Sequence, residues 1–207
     1  MPFRELSVDN ILRADTNLAK LASLKPAFDK RSGKGTLTAG NSTNLSDGAS
    51  VALLSSEQWA QDNNKEIQAY LVDAQVAAVD FVAGEGLLMA PAWAVAQLLK
   101  RNNLKLQDFD FYEIHEAFAA QVLCTLKAWE SEEFCKTKLG MDGALGSIDR
   151  SKLNVVGSSL ALGHPFAATG ARIIATAAKL LKEKGQGRVL ISICTAGGMG
   201  VAAIVER

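Results

Sequence analysis

The sequence has no excess of charge of either sign, because 22 lysine and arginine residues balance 22 aspartate and glutamate residues. Proteins that bind nucleic acid through its phosphates usually carry a basic surface, so nucleic acid is not an expected partner. The longest stretch without a charged side chain, residues 153–171, contains several polar residues and Pro165. Because a membrane span needs about 20 predominantly apolar residues, membrane insertion is not expected either.

The N-terminus lacks the apolar core of a signal peptide, since Arg4 and Glu5 interrupt it. We therefore expect an intracellular protein, located in the cytoplasm or, if its source is eukaryotic, in mitochondria. Cysteine is scarce: Cys124, Cys135 and Cys194 are odd in number, and their spacing fits neither a disulfide framework nor a zinc site. We expect reduced thiols and no metal site.

Apolar strand patterns alternate with helical patterns along most of the chain, which is typical of an α/β fold. The last two strands are joined by a short glycine turn, which predicts an antiparallel hairpin. We therefore expect a mixed, mainly parallel sheet with helices on both faces. The predicted strands are 37–40, 51–56, 67–81 (buried), 109–114, 153–156, 188–194 and 201–206, and the main predicted helices are 90–102, 116–129 and 165–181.

The last of these helices carries few charges, because Arg172 and Lys179 are the only charged side chains between residues 153 and 181. Its alanines spread around every face. A surface helix normally presents one polar face, so we expect this helix to be enclosed on most sides, between two sheets of which one can come from polypeptide outside this chain.

One of the two histidines, His164, follows a predicted strand, and Pro165 is suited to the first position of the next helix. The carboxyl ends of parallel strands are where open α/β sheets place their binding sites. A positive helix end disfavours imidazolium, which predicts a neutral ring able to accept a proton or to donate a hydrogen bond to an oxyanion. The alternative is a histidine that only caps the helix or bonds a buried carbonyl.

The other histidine, His115, occupies the same kind of strand-to-helix junction, with Glu116 predicted in the first helical turn. Cys194 ends a third strand and precedes a glycine-rich turn, whose N–H groups are expected to favour the thiolate. A buried core cysteine is the alternative for Cys194. If the strands are neighbours, both rings and this thiol meet at one edge of the sheet, an arrangement suited to proton transfer at carbon beside an oxyanion. Cys124 and Cys135 are interpreted as structural or incidental.

Three motifs, HEAFAAQ at 115–121, GHPFAATGAR at 163–172 and CTAGGMG at 194–200, resemble the C-terminal half of thiolases, which cleave 3-ketoacyl-CoA with CoA or catalyse the reverse condensation. The segment TLTAGNSTNLSDGASVALL at 36–54 is similar to the end of the family's N-terminal domain. The resemblance divides the chain into a remnant of the loop domain (1–35), the closing segment of the N-terminal domain (36–65) and the C-terminal domain (66–207). HEAFA in place of the commoner NEAFA resembles the thiolase subunit of the fatty-acid β-oxidation trifunctional complex.

Carried over by position, the resemblance makes His164 the base that activates a nucleophilic cysteine and a donor to the thioester oxygen. Cys194 becomes the acid/base at the substrate α-carbon or the CoA thiol, and His115 replaces the asparagine that positions a water in the oxyanion hole. The N–H of Ala196, where the family usually has glycine, is expected to face the oxyanion. CoA contacts are expected near Ala39 and Thr43.

The resemblance also implies acyl-CoA and CoA as ligands, no cofactor, a homo-oligomer and possible association with a multifunctional β-oxidation subunit. No motif before Leu37 resembles the VNRXC-like segment that carries the acyl-accepting cysteine of thiolases. We therefore expect the chain to be the C-terminal part of a longer enzyme and to be inactive alone. One alternative is a non-catalytic acyl-CoA-binding or interaction module with the same fold. A second is a ketosynthase, although the CTAGGMG motif favours a thiolase over it.

Overall fold

The computed structural model describes residues 8–207, so Arg4, Glu5 and the rest of the first seven residues of the predicted loop-domain remnant lie outside the described part. The helices are α1 (Leu18–Ala22), α2 (Glu57–Asp62), α3 (Ala90–Asn102), α4 (Ala119–Glu130), α5 (Glu132–Thr137), α6 (Ser159–Leu162) and α7 (Ala167–Lys184), with a 3-10 turn at Arg150–Lys152. The strands are β1 (Tyr70–Ala78), β2 (Phe111–Ile114), β3 (Arg188–Thr195) and β4 (Met199–Glu206).

The four strands form one mixed sheet in the order β1, β4, β3, β2. β2 and β3 are parallel, whereas β4 runs antiparallel to both β3 and β1. The α/β class, the mixed sheet and the antiparallel C-terminal hairpin are as predicted. The expectation of a mainly parallel sheet is wrong for the described residues, because 37–40 and 51–56 form no extended strand and 153–156 contributes only an isolated bridge.

Helices cover both faces of the sheet, as predicted. On one face, α3 and α4 pack Leu98 and Trp129 into a core that includes Leu190 of β3. On the other face, α7 packs Ile173 against Val189 of the same strand. Successive side chains of a strand point to opposite faces, which is why neighbouring residues of β3 belong to different cores. Burial of each such side chain contributes about 1.5–3 kcal/mol.

Helix α7 is buried along one side only, contrary to the expectation that it is enclosed on most sides. Ile173, Ala177 and Leu181 face the sheet and are fully buried, whereas Ala175 and Lys179 are exposed. The small side chains permit close packing, but the described residues place one sheet, not two, against this helix.

Asn154 explains why the predicted strand 153–156 does not form. Its backbone adopts φ = 47°, in the left-handed region, so the chain leaves the edge of β2 after a single bridge between Leu153 and Tyr112. The side-chain amide then takes over the pairing: Oδ1 accepts from the N–H of Ile114 and Nδ2 donates to its carbonyl, both at 2.9 Å. A side chain thus satisfies the strand edge that a neighbouring backbone was expected to pair with.

β1 forms within the predicted segment 67–81, but it is an exposed edge strand rather than a buried one. Val72 and Val76 are both exposed to solvent. The strand is anchored to α3 by Arg101, whose guanidinium donates to both carboxylate oxygens of Asp73 at 2.8 Å. The apolar run therefore predicted the strand correctly, but the prediction that this strand is buried is wrong.

Candidate active site

The site is built where β2 and β3 end, at the edge that parallel strands share. His115 follows β2, and its N–H donates to the carbonyl of Ser192 in β3 at 2.9 Å. Cys194 lies two residues further along β3, where the backbone N–H of Ala117 interacts with its thiol. The parallel register thus brings the residue after β2 and the end of β3 to one edge of the sheet, as predicted.

A loop formed by residues 41–48 places His164 at the same edge. The N–H of Thr43 donates to the carbonyl of Ala117 at 3.0 Å, and the N–H of His164 donates to the carbonyl of Asn44 at 2.8 Å. The loop and residues 164–166 enclose a shallow cavity of about 310 Å³. His164 follows Gly163, whose φ of 85° and close approach to Ser46 leave no room for a Cβ atom.

The two imidazole rings are in contact. The centroids of His115 and His164 are 4.3 Å apart, and the ring planes are inclined at 48°. Residues 49 positions apart in the sequence therefore meet at one edge of the sheet, together with the cysteine that ends β3.

His164 is partly buried, and its Nδ1 is paired with the hydroxyl of Thr169 at 2.6 Å. Burial, followed by the positive charge of Arg172, lowers its pKa, so the ring is neutral at pH 7. The predicted neutrality is found, but its cause differs from the prediction. Helix α7 begins at Ala167 rather than at Pro165, and burial rather than the helix end is the main effect.

His115 is buried, with 1% of its surface exposed. Its Nδ1 is 2.8 Å from the hydroxyl of Ser159, while its Nε2 has no hydrogen-bond partner among the described residues. Burial lowers the pKa of this ring to about 3, and the neighbouring His164 and Arg172 act in the same direction. His115 is therefore neutral at physiological pH and holds a single ring proton.

Cys194 is 5% exposed, and burial raises the pKa of its thiol to about 11. The backbone N–H groups of Cys194 and Ala117 act in the opposite direction but do not compensate for the loss of water. The expectation that the glycine-rich turn favours the thiolate is therefore wrong. The group present at pH 7 is the neutral thiol, which is a proton donor.

The remaining predicted site residues are found nearby but in different environments. Ala196 lies in the exposed turn between β3 and β4, and Ala39 is exposed at the start of the 41–48 loop. The hydroxyl of Thr43 donates to the carbonyl of Ser159 at 2.6 Å, so it fixes the loop to α6. The roles of Ala196, Ala39 and Thr43 toward ligands stay predictions.

Glu116 precedes the helix in which the sequence placed it, because α4 begins only at Ala119. Its carboxylate accepts from Nδ2 of Asn154 at 2.7 Å and from the N–H of Leu160 at 3.1 Å. Glu116 therefore connects β2 to α6 instead of stabilising a helix end. Its contacts keep the segment before His164 close to His115.

Sequence reasoning did not identify three residues that organise the histidines. Ser159 and Thr169 bond the two Nδ1 atoms, and Arg172 donates from Nη2 to the hydroxyl of Ser159 at 2.9 Å. A signal was present for one of them, because Arg172 is the first charged side chain after Lys152 in a 20-residue interval. A charged side chain is rarely buried unless it is paired, so a lone arginine in a largely uncharged segment indicates a buried partner.

Glu113 is a fully buried carboxyl whose two oxygens have no hydrogen-bond partner among residues 8–207. Burial raises its pKa to about 7, although the charge of Arg172 acts in the opposite direction. This carboxyl lies on the face of β2 that also carries His115, since the two residues are two positions apart. Burial lowers the pKa of Arg172, and the charges of Glu113 and Glu116 both act in the opposite direction with a smaller effect.

The other two cysteines lie outside the site. Cys124 is exposed on α4, and Cys135 is buried, with its Sγ 3.4 Å from the carbonyl oxygen of Trp129. Within residues 8–207, no three His, Cys, Asp or Glu side chains are grouped so that they could hold a metal ion. Every helix in that range is too short or too polar to traverse a lipid bilayer.

Comparison with known proteins gives matches along nearly the whole chain. The family models for the thiolase N-terminal domain and the thiolase C-terminal domain match residues 3–58 and 65–207. The 3-ketoacyl-CoA thiolase of Serratia proteamaculans is 45% identical over 206 residues, and that of Shewanella loihica is 46% identical over 198 residues. These alignments cover 99% and 96% of this chain, but only 46% and 44% of the two relatives.

Solved structures agree with the sequence matches. The acetyl-CoA acetyltransferase of Bacillus anthracis superposes with a TM-score of 0.79 at 37% identity, over 99% of this chain and 48% of that one. Human mitochondrial 3-ketoacyl-CoA thiolase in complex with CoA gives a TM-score of 0.78 at 31% identity, over 97% and 45%. The chain spans about half the length of the relatives it matches. On the match of residues 65–207 to the C-terminal domain family and on the agreement in fold, this chain belongs to the thiolase family.

Proposed function

We propose that this chain supplies the oxyanion-binding and proton-transfer groups of a thiolase that cleaves 3-ketoacyl-CoA with CoA, or condenses acyl-CoA in the reverse direction. The observation that carries the proposal is the contact between the rings of His115 and His164, whose centroids are 4.3 Å apart, at the sheet edge where Cys194 is the last residue but one of β3. Two neutral imidazoles and a thiol provide hydrogen-bond donors and a proton carrier without a fixed charge.

His164 has the contacts expected of a general base. Its Nδ1 is occupied by Thr169, which leaves Nε2 to accept a proton from a nucleophilic thiol and then to donate to the thioester oxygen. Because its pKa is lowered by burial and by Arg172, the ring is unprotonated and ready to accept at pH 7.

Cys194 is suited to deliver a proton. Cleavage of a 3-ketoacyl thioester releases an acetyl-CoA enolate, whose carbon must be protonated, and a thiol with a pKa of about 11 is neutral and can supply that proton. In the condensation direction, Cys194 first gives its proton to the departing CoA thiolate, and the Cys194 thiolate that results removes a proton from the α-carbon. The high pKa makes Cys194 a poor acyl acceptor, and Cys124 and Cys135 lie outside the site. The proposal therefore places the nucleophile in polypeptide outside these 207 residues.

The ligands and partners follow from the relatives. The human structural neighbour was solved in complex with CoA, which supports acyl-CoA and CoA as ligands of this chain. That no further cofactor takes part stays a prediction. The HEAFAAQ motif favours a role in fatty-acid β-oxidation, with a homo-oligomer and a multifunctional β-oxidation subunit as partners, in the cytoplasm or in mitochondria. The three-part division at residues 35 and 65 stays a prediction.

Thiolysis of acetoacetyl-CoA and of a long-chain 3-ketoacyl-CoA tests the proposal. We expect no turnover by the 207-residue chain alone, and turnover when it is co-expressed with the part of the Serratia proteamaculans relative that it does not match. Changing His164→Asn in the complemented enzyme is expected to lower kcat at least about 100-fold, the usual contribution of a general base. Cys124→Ala, on the exposed side of α4, is the matched control and should leave kcat unchanged.

Two outcomes would contradict this function. Turnover by the chain alone would show that an acyl acceptor exists among its own cysteines. A complemented, folded protein that binds CoA but turns over neither substrate would favour the acyl-CoA-binding module with a thiolase fold.

A further inference from the structure

Three side chains from different parts of the fold are connected in series behind the site. Arg172 of α7 donates from Nη2 to the hydroxyl of Ser159 at 2.9 Å. The same hydroxyl oxygen is 2.8 Å from Nδ1 of His115. Ser159 is fully buried, so water does not compete for either contact.

The proton positions along this series follow from the chemistry of the groups. A guanidinium has donors and no acceptor, so the oxygen of Ser159 must accept from Arg172. The hydroxyl has one proton, and Nδ1 of His115 is its one available acceptor in the described part of the chain. If Nδ1 carried the ring proton instead, the hydroxyl proton of Ser159 and the lone pair of Nε2 would both be buried without a partner, whereas the other tautomer leaves only the Nε2–H group unpaired. Ser159 therefore donates to Nδ1.

The remaining ring proton of His115 is then on Nε2. That nitrogen is buried and has no hydrogen-bond partner among residues 8–207. It belongs to the ring that contacts His164, the residue beside the open cavity formed with the 41–48 loop. A buried N–H group without a partner destabilises the fold, and such groups are found where a ligand atom completes the bond.

We propose that Arg172 and Ser159 are positioning residues that hold the single ring proton of His115 on Nε2, where it donates to an oxygen atom of the bound thioester. The identity of this oxygen rests on the proposed function; the position of the proton does not. Burial, with the charge of Arg172 acting in the same direction, keeps a second proton off both imidazoles, which preserves one donor and one base side by side. Arg172 itself touches no reacting atom and acts through Ser159.

Nitrogen NMR of the folded chain tests the assignment without any substrate. With ¹⁵N-labelled histidine, protonated and unprotonated ring nitrogens resonate far apart, and the two histidines of the sequence give two patterns, which the His164→Asn variant assigns. For His115 we expect the Nε2–H form to exceed the Nδ1–H form by about tenfold or more, the factor that corresponds to one buried hydrogen bond. Predominance of the Nδ1–H form overturns the proposal.

The Arg172→Met variant identifies the residue that sets the tautomer. The guanidinium prevents the hydroxyl of Ser159 from turning its proton toward Arg172 and so directs that proton to Nδ1. Without the guanidinium the hydroxyl can turn its proton away from Nδ1 and accept from Nδ1–H, so the excess of the Nε2–H form is expected to fall at least about threefold, part of one hydrogen bond. Lys179→Met is the matched control, since Lys179 is an exposed cation on the same helix, and it should leave the ratio unchanged.

A double variant controls for loss of folding in Arg172→Met. Arg172→Met leaves Glu113 buried without its cation, and Glu113→Gln combined with Arg172→Met removes both charges together. In either variant, a falling ratio supports the proposal and an unchanged ratio overturns it. Failure of thiolysis in a protein whose His115 shows the expected proton position would count against the proposed function alone.

Discussion

The imidazole of His115 lies against that of His164, with the ring centroids 4.3 Å apart, and Arg172 lowers the pKa of both rings. Two histidines that were both protonated at this distance would repel each other strongly. Burial and the nearby guanidinium keep both rings neutral, so the pair persists at physiological pH. The stability of the fold must therefore depend on pH through these groups.

Replacing His115→Asn is expected to reduce the loss of stability in acid. The pKa of His115 is about 3 in the folded chain, against 6.5 for an unperturbed imidazole. As the pH falls below 6.5, the unfolded chain binds the proton first, so the wild-type protein loses about 1.4 kcal/mol per pH unit down to the folded pKa. Urea unfolding at pH 6.5 and 4.5 should show a difference between wild type and variant that changes by about 2 kcal/mol in favour of the variant, since the slope is only partial near pH 6.5. An unchanged difference would contradict the low pKa.

Replacing Glu113→Gln is expected to act in the opposite direction. The pKa of Glu113 is raised to about 7 from 4.5, so the folded state holds a proton that the unfolded chain releases. Its contribution to stability is present below pH 4.5 and is lost as the pH rises to 7. Over this interval the variant should gain about 3 kcal/mol relative to the wild type in urea unfolding. A gain that keeps growing above pH 8 would place the pKa of Glu113 above about 7, and the absence of any gain would contradict a raised pKa.

The reactivity of the three thiols is expected to follow their burial. Cys124 is exposed, whereas Cys135 and Cys194 are buried. Iodoacetamide reacts with the thiolate, and the pKa of Cys194 is about 11, so at pH 8 Cys194 should be alkylated at least about tenfold more slowly than Cys124. Peptide mass spectrometry over time measures both rates. Preferential labelling of Cys194 would show that its thiolate is favoured after all.

Replacing Asn154→Ala should destabilise the fold by about 3 kcal/mol, because it leaves the buried N–H and carbonyl of Ile114 without partners and imposes a positive φ on alanine. Asn154→Gly relieves only the second effect. Asn103→Ala is the matched control, since Asn103 has a φ of 52° as the C-cap of α3, and it should cost about 1 kcal/mol. Equal losses at the two asparagines would mean that the side-chain pairing contributes nothing.

Replacing Gly163→Ala should destabilise the fold and displace His164. A Cβ atom there would lie 2.5 Å from Oγ of Ser46, and a φ of 85° is strained for alanine, so a cost of about 2 kcal/mol or more is expected. Gly170→Ala in α7 meets no atom within 4 Å and should stabilise the helix by up to about 1 kcal/mol. Thermal unfolding compares the two, and a shift of the His164 NMR signals only in Gly163→Ala would locate the displacement.

Periodicity and turn residues in the sequence predicted the helices and hairpins whose formation depends on residues close together in the chain. Helix α3 at Ala90–Asn102 and the hairpin of β3 and β4 follow from periodicity and from the glycine turn. Burial was predicted less well, because exposure of β1 depends on its position at the sheet edge. The segment after Lys152 was predicted as a strand because its composition is apolar, and only the contact of Asn154 with β2 shows why it turns away.

The sequence by itself determined which residues are available for chemistry: two histidines at strand-to-helix junctions and a cysteine at the end of an apolar strand. Tertiary structure alone decided their protonation, because the pKa values of His115 and Cys194 depend on how much water the packed chain removes. It also decided that Arg172 and Ser159, 13 residues apart in the sequence, meet behind the site. Desolvation and contacts between distant residues arise only when the chain is folded, so residue spacing does not encode them.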